Sequence, residues 1–216
     1  ESPWEPGAAS RWWLHYSLSA LERKIREAGG RLIIRRGNTA ETLCGLAREI
    51  GADSLFFYRR VEPWARRQER AVTERLEALG VRVVPLPPDL LVRPESLHTA
   101  QGGPFQVFTP FWKAAEKLAD SDSAAEPLPR LVDNANIFGL KPEDLDLLPV
   151  PDWAGGLREH WQPGEDAARK RLDSFLDADA SAYLDRRDRM DMAGTGRLSP
   201  HLHFGELSAR TALRAA

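Results

Sequence analysis

Residues 51–86 run GADSLFFYRRVEPWARRQERAVTERLEALGVRVVPL, and the reading of this stretch decides the fold. The block Ser54-Leu55-Phe56-Phe57-Tyr58 has the length and the aromatic content of a strand. After it, Val72, Leu76 and Leu79 share one helical stripe that stops at Gly80, and a second short block follows, Val81-Arg82-Val83-Val84. Strands separated by a helix of ten or more residues have the crossover that parallel pairing needs. Upstream the alternation continues. Leu14, Leu18, Leu21 and Ile25 recur at helical spacing and stop before Gly29-Gly30, and residues 31–35 hold Leu32-Ile33-Ile34, the pattern of another buried strand. A second helix is expected from Thr39, as N-cap, through Leu43, Leu46, Ala47 and Ile50 to Gly51. The fold class expected is α/β, a parallel sheet covered by helices.

Composition sets the outer bounds. The 216 residues are 42% hydrophobic and 29% charged, without an apolar run of the ~18 residues that a membrane span needs. Cys44 is the only cysteine, so an internal disulfide or a CxxC metal site is impossible. The first residues lack the basic and apolar regions of a signal peptide, and a reducing cytoplasm is the expectation. The formal charge of -2 hides an asymmetry: residues 1–118 carry 18 Lys+Arg against 14 Asp+Glu, and residues 119–216 carry 12 against 18. Bulk charge therefore does not mark a nucleic-acid binder, although local basic clusters remain open.

Between residues 120 and 165 the chain changes character. Pro127, Pro129, Pro142, Pro149, Pro151 and Pro163 fall here with few periodic apolar positions, which reads as a long connector packed as irregular structure on its neighbours. Ala168, Leu172, Phe175, Leu176 and Asp179 then trace a helix that begins near Pro163-Gly164-Glu165, and a last helix is expected from Ser199-Pro200. The alternation opens on a helix with no strand before it, and the sequence stops at Arg214-Ala215-Ala216 inside a helical pattern. Both ends are expected to be truncated.

The segment Gly194-Thr195-Gly196-Arg197-Leu198-Ser199-Pro200-His201-Leu202-His203-Phe204-Gly205-Glu206-Leu207 carries the most chemistry. With Ser199 as N-cap and Pro200 as the first helical residue, unpaired amides point back along residues 195–199. Gly194 and Gly196 permit close backbone approach, Thr195 and Ser199 offer hydroxyls, and Arg197 supplies charge. Together these make a cradle for phosphate at a helix N-terminus; the plainer reading is a capped helix with an exposed arginine. His201 and His203, two apart, cannot share a helix face as a metal pair. Arg59, Arg60, Arg66, Arg67 and Arg70 flank the end of the strand at Tyr58, where open α/β sheets bind ligands, but charge runs mostly solvate a helix face.

Residues 194–210, Gly-Thr-Gly-Arg-Leu-Ser-Pro-His-Leu-His-Phe-Gly-Glu-Leu-Ser-Ala-Arg, resemble the Gly-Thr-Ser-Arg-Leu-Ser-Pro-x-Leu-x-Phe-Gly-x-Ile/Leu-Ser-x-Arg signature of the DNA photolyase and cryptochrome family. Four further elements match in the same order: Trp161-Gln162-Pro163-Gly164-Glu165-Asp166-Ala167-Ala168 resembles the family's Pro-Gly-Glu-x-Ala; Tyr183 with Arg187-Asp188 resembles its Tyr-x-x-x-Arg-Asp; residues 103–113, Gly-Pro-Phe-Gln-Val-Phe-Thr-Pro-Phe-Trp-Lys, resemble Pro-Tyr-x-Val-Phe-Thr-Pro-Phe-Trp-Lys; and residues 9–14, Ala-Ser-Arg-Trp-Trp-Leu, resemble the helix after the family's second strand.

The resemblance implies a Rossmann-like α/β antenna domain over residues 1–119 with its first strand missing, a connector over 120–164, and the start of an all-helical FAD-binding domain over 165–216. It further implies that Tyr183, Thr195, Gly196, Arg197, Leu198 and Ser199 hold the FAD phosphates and ribose side, and that Arg187 lies near FAD and DNA. No catalytic residue is expected within these residues. Gly196 departs from the family's serine, losing a hydroxyl donor but keeping an amide. Gln101-Gly102-Gly103 stands where folate-binding relatives have Asn-x-Glu, so a second, antenna chromophore is left unidentified: deazaflavin, flavin or none. The implied activity of the intact parent is that of a deoxyribodipyrimidine photo-lyase acting on DNA with pyrimidine dimers, the alternative being a cryptochrome that signals through protein partners.

Overall fold

The computed structural model describes residues 4–119, 129–132 and 137–216. Contacts group the chain into two compact units: Glu1–Pro88 with Leu128–Trp161, and Asp89–Pro127 with Gln162–Ala216.

In the first unit, helix α1 (Ala8–Glu27) ends where Gly29 takes φ 88, the Gly29 amide bonding the Arg26 carbonyl and the Gly30 amide the Ile25 carbonyl. This paired closure needs a residue at positive φ, which glycine adopts without a Cβ clash. Helix α2 (Thr39–Ile50) is capped by Asn38, whose side chain accepts from the Glu41 amide at 3.2 Å, so Thr39 is the first helical residue and not the cap. The Asn38 carbonyl group suits that role because it reaches the third amide beyond it. Strand β1 (Ser54–Tyr58), helix α3 (Pro63–Glu77) and strand β2 (Arg82–Leu86) complete the unit that residues 51–86 predict. The strands pair in parallel, Ser54 opposite Arg82 and Tyr58 opposite Leu86.

The core of this unit is Ala40, Cys44 and Ala47 of α2 against Val72 and Leu76 of α3 and Val81, with Leu55 and Val83 closing it from the sheet. Strand side chains alternate between faces. Phe56 and Tyr58, of opposite parity to Leu55, are accordingly exposed. Cys44 is a buried core residue, as its stripe predicts.

Residues 31–35 differ from expectation. They form no strand ladder among the described residues; Ile34 makes one antiparallel bridge to Leu140, whose amide bonds the Ile34 carbonyl at 2.9 Å. An apolar run becomes a strand only with a partner strand beside it, and here connector residues supply the cover instead: Gly139 lies against Ile33, and Leu131 against Gly30. Pro142, at the head of a short 3-10 turn (Pro142–Leu145), is fully buried. Trp12 and Trp13 are buried, and Trp13 meets Trp161 edge-on at 5.6 Å, so these tryptophans pack.

The second unit holds α4 (Phe108–Leu118), and, after the short α5 (Gly155–His160) of the first unit, α6 (Glu165–Ala178), α7 (Tyr183–Arg186), α8 (Ser199–His203) and α9 (Ala209–Ala215). Helix α6 starts after Gly164 as the sequence predicts. Its Ala168 and Leu172 are buried with Leu207, and Leu176, Leu198 and Ala212 pack on them. The helix expected from Ser199 is interrupted: Gly205 at φ 72 turns the chain, and Ser208 starts α9 by accepting from the Thr211 amide at 3.0 Å. No helix among the described residues is long and apolar enough to cross a membrane.

Candidate functional site

Residues 194–198 form the last part of the connection from α7 to α8, and their path is set by two close approaches. A Cβ on Gly194 would stand 2.5 Å from the Arg186 carbonyl oxygen and 2.6 Å from its Cβ, so only glycine lets the loop press on the end of α7. A Cβ on Gly196 would stand 3.2 Å from the Phe175 ring of α6. Phe175 in turn meets Tyr183 edge-on at 5.8 Å, and the Arg187 guanidinium lies 5.7 Å from the Tyr183 ring. Through Phe175 the structure thus links Tyr183, Arg187 and Gly196, which are separated in sequence. A serine at 196 would need the Phe175 ring to give by a few tenths of an ångström.

Arg197 takes φ 49, a left-handed conformation that costs a non-glycine residue about 1–2 kcal/mol. Its side chain is exposed and makes no hydrogen bond or ion pair among the described residues. Within the same residues the backbone amides of Thr195, Gly196, Arg197 and Leu198 donate to nothing. Leu198 is the N-cap of α8 and has an αR conformation; Ser199 is the first helical residue and its hydroxyl does not cap the helix, in correction of the sequence expectation. The shift follows from Leu198 packing into the α6 core, which draws the helix start one residue earlier. The Leu198 side chain therefore anchors the loop to the α6 core. A run of open amides beside an unpaired guanidinium is an anion-binding arrangement.

Arg187 also contacts Asp188, its Nε donating to Oδ1 at 3.4 Å, and Arg186 donates to Asp179 at 3.0 Å. The sequence reading missed the group that fixes the far side of the loop. His201 Nδ1 lies 2.6 Å from Glu206 Oε2, with side chains 3% and 4% exposed, and the Glu206 amide bonds the His201 carbonyl at 2.9 Å. The signal was available as a histidine and a glutamate five apart across a glycine. His203 is exposed beside Phe204 and takes no part in this pair.

Residues 1–132 match the family model for DNA photolyase. The chain belongs to the DNA photolyase family. It is 38% identical to a deoxyribodipyrimidine photo-lyase of Agrobacterium fabrum over 94% of its own length and 43% of the relative's, and 30% identical to cryptochrome-1 of Arabidopsis thaliana over 97% of its length and 31% of the relative's. A bacterial class III photolyase of Agrobacterium tumefaciens superposes with a TM-score of 0.90 at 36% identity, covering 99% of this chain and 45% of that one. The chain spans less than half the length of these relatives. The photolyase resemblance and the α/β fold class with its parallel sheet both stand.

Proposed function

We propose that the chain is the N-terminal part of a light-driven DNA photolyase: antenna-type domain over 1–119, connector over 120–164, and the start of the flavin site over 165–216. The observation that carries this reading is the run 195–198, whose four amides and Arg197 side chain have no hydrogen-bond partner among the described residues, in a chain of photolyase family membership. Those donors fit the phosphates of FAD. Thr195 and Ser199 add hydroxyls, Gly196 lets the backbone approach, Leu198 holds the loop to the core, and Tyr183 and Arg187 border it on the α7 side. Bound FAD supplies the photoexcited electron donor for splitting a cyclobutane pyrimidine dimer in DNA; the protein orients it and supplies electrostatics. Part of this proposal is that the 216 residues alone are inactive in repair. A second chromophore stays unidentified. With Cys44 as its one thiol, the protein suits a reducing cytoplasm.

The test is blue-light repair of thymine-dimer oligonucleotides by the longer protein containing this sequence, with absorption spectra taken in parallel. Flavin absorbance with repair supports the reading, and Arg197→Ala lowers flavin occupancy about tenfold, the worth of one charged hydrogen bond to phosphate. Flavin without repair makes the protein a cryptochrome, and absence of flavin in the longer protein overturns the site assignment.

A further inference from the structure

The first unit contains a cleft of about 790 Å³ between α3 and the C-terminal ends of β1 and β2. Arg59, from the end of β1, and Arg66, Arg67 and Arg70, from α3, line it. All four are exposed, and among the described residues none of their side chains makes a hydrogen bond or an ion pair. This separates them from the arginines around them. Arg60 lies 4.3 Å over Trp64 and pairs with Glu62, and Arg75 pairs with Glu41. The cleft also contains Glu69, which accepts from the Arg60 amide at 2.7 Å, and Glu74. The four arginines outnumber these two carboxylates, so the net charge of the cleft is positive.

We propose that this cleft, formed entirely by residues of the first unit, binds the phosphate backbone of nucleic acid. The arrangement is a line and not a point. Arg66 and Arg70 stand one turn apart on α3, about 6 Å at 1.5 Å per residue. That rise is close to two phosphates of one strand at about 3.4 Å each. Arg67 and Arg59 continue the positive surface toward the sheet. Guanidiniums that all stay exposed suit a polyanion passing over them; a small enclosed ligand would bury them. The surface has no base-reading feature, so binding is independent of sequence and of base damage.

The experiment is fluorescence anisotropy of a labelled, undamaged single-stranded oligonucleotide with the 216-residue chain between 50 and 200 mM salt. Neutralising a phosphate on single strands contributes about 0.7 to the log–log salt slope. Four contacts make affinity fall about 50-fold across this range, and Arg66→Ala with Arg70→Ala reduces the fall to about 7-fold. Arg66→Lys with Arg70→Lys retains the steep slope, and Arg75→Ala, on the same helix but paired, leaves it unchanged. Circular dichroism confirms that each variant is folded. A slope unaltered by the double alanine variant, or no binding by the unsubstituted chain at 50 mM salt, overturns the proposal. So does tight binding of inorganic tripolyphosphate that the oligonucleotide fails to displace, which identifies a small-anion site. Arg197→Ala leaves the slope unchanged if the two surfaces are separate, so failure here and failure of the flavin reading are told apart.

Discussion

The strand–helix–strand stretch of the first unit and the loop 194–207 of the second both place a turn of chain at a fixed position, and they do it by different means. In the first, many interchangeable apolar contacts share the work: α2 and α3 bury Ala40, Cys44, Ala47, Val72 and Leu76, and each helix stops at a glycine. In the second, a few particular contacts do it: Gly194 on Arg186, Gly196 on Phe175, Arg197 at φ 49, and the His201–Glu206 pair. A distributed core loses a little with each change. A loop held by singular contacts loses its shape with one, and that is what a preorganised binding site demands.

The largest break in this contrast comes from the buried pair. His201→Ala removes the imidazole that lies 2.6 Å from the Glu206 carboxylate, a group 4% exposed. Losing a hydrogen-bond partner at a buried polar group costs about 1–3 kcal/mol, and more where the group is charged. Hydrogen exchange is expected to accelerate in α6, α8 and α9, while α2 and α3 keep their protection; equal acceleration in both units would contradict the division of labour. Gly194→Ala comes next. Its Cβ meets backbone at 2.5 Å, which cannot rotate away, and an overpacking cost of about 1–3 kcal/mol is expected by urea unfolding, together with weaker binding of ADP as a phosphate probe.

The same contrast governs what the sequence discloses. Residues 54–86 were legible because periodicity and a terminal glycine are local signals, and Gly80 ends its helix as predicted. The strand at 31–35 was misjudged because an apolar run does not say what will lie beside it, and Leu140 is more than a hundred residues away. At the site, Gly194 and Gly196 were legible as positions of close approach, but the partners, Arg186 and Phe175, were not. The cap of α8 was misplaced by one residue since Leu198 is drawn inward by the packing of α6, a tertiary effect.

A smaller effect has the opposite sign. Arg197→Gly removes a left-handed non-glycine residue and is expected to raise stability by about 0.5–1 kcal/mol, since the strain released slightly exceeds the entropy that glycine adds to the unfolded chain. The same variant loses the guanidinium, so ADP affinity falls as stability rises. A variant that gains neither stability nor loses affinity would show that this backbone strain is not tied to binding.

The smallest effect sets the exposed pair of the first unit against the buried pair of the second. Asp152 accepts from Arg158 through both oxygens, at 3.1 and 2.7 Å, and from the Ala154 amide at 3.0 Å. The Arg158 hydrogen bonds and then the Ala154 amide hold this carboxyl below its ordinary range. A carboxyl depressed on folding contributes stability above its unfolded pKa of about 3.9, and the contribution is lost as the pH falls below that, through the folded value. Because the group is solvated, the loss is slight. Asp152→Asn should therefore flatten the acid limb of the stability curve a little and leave the neutral plateau nearly unchanged, as read by thermal unfolding between pH 3 and 7. A change on the plateau comparable with that of His201→Ala would mean that exposure does not separate the two pairs, and that the first unit too depends on a singular polar contact.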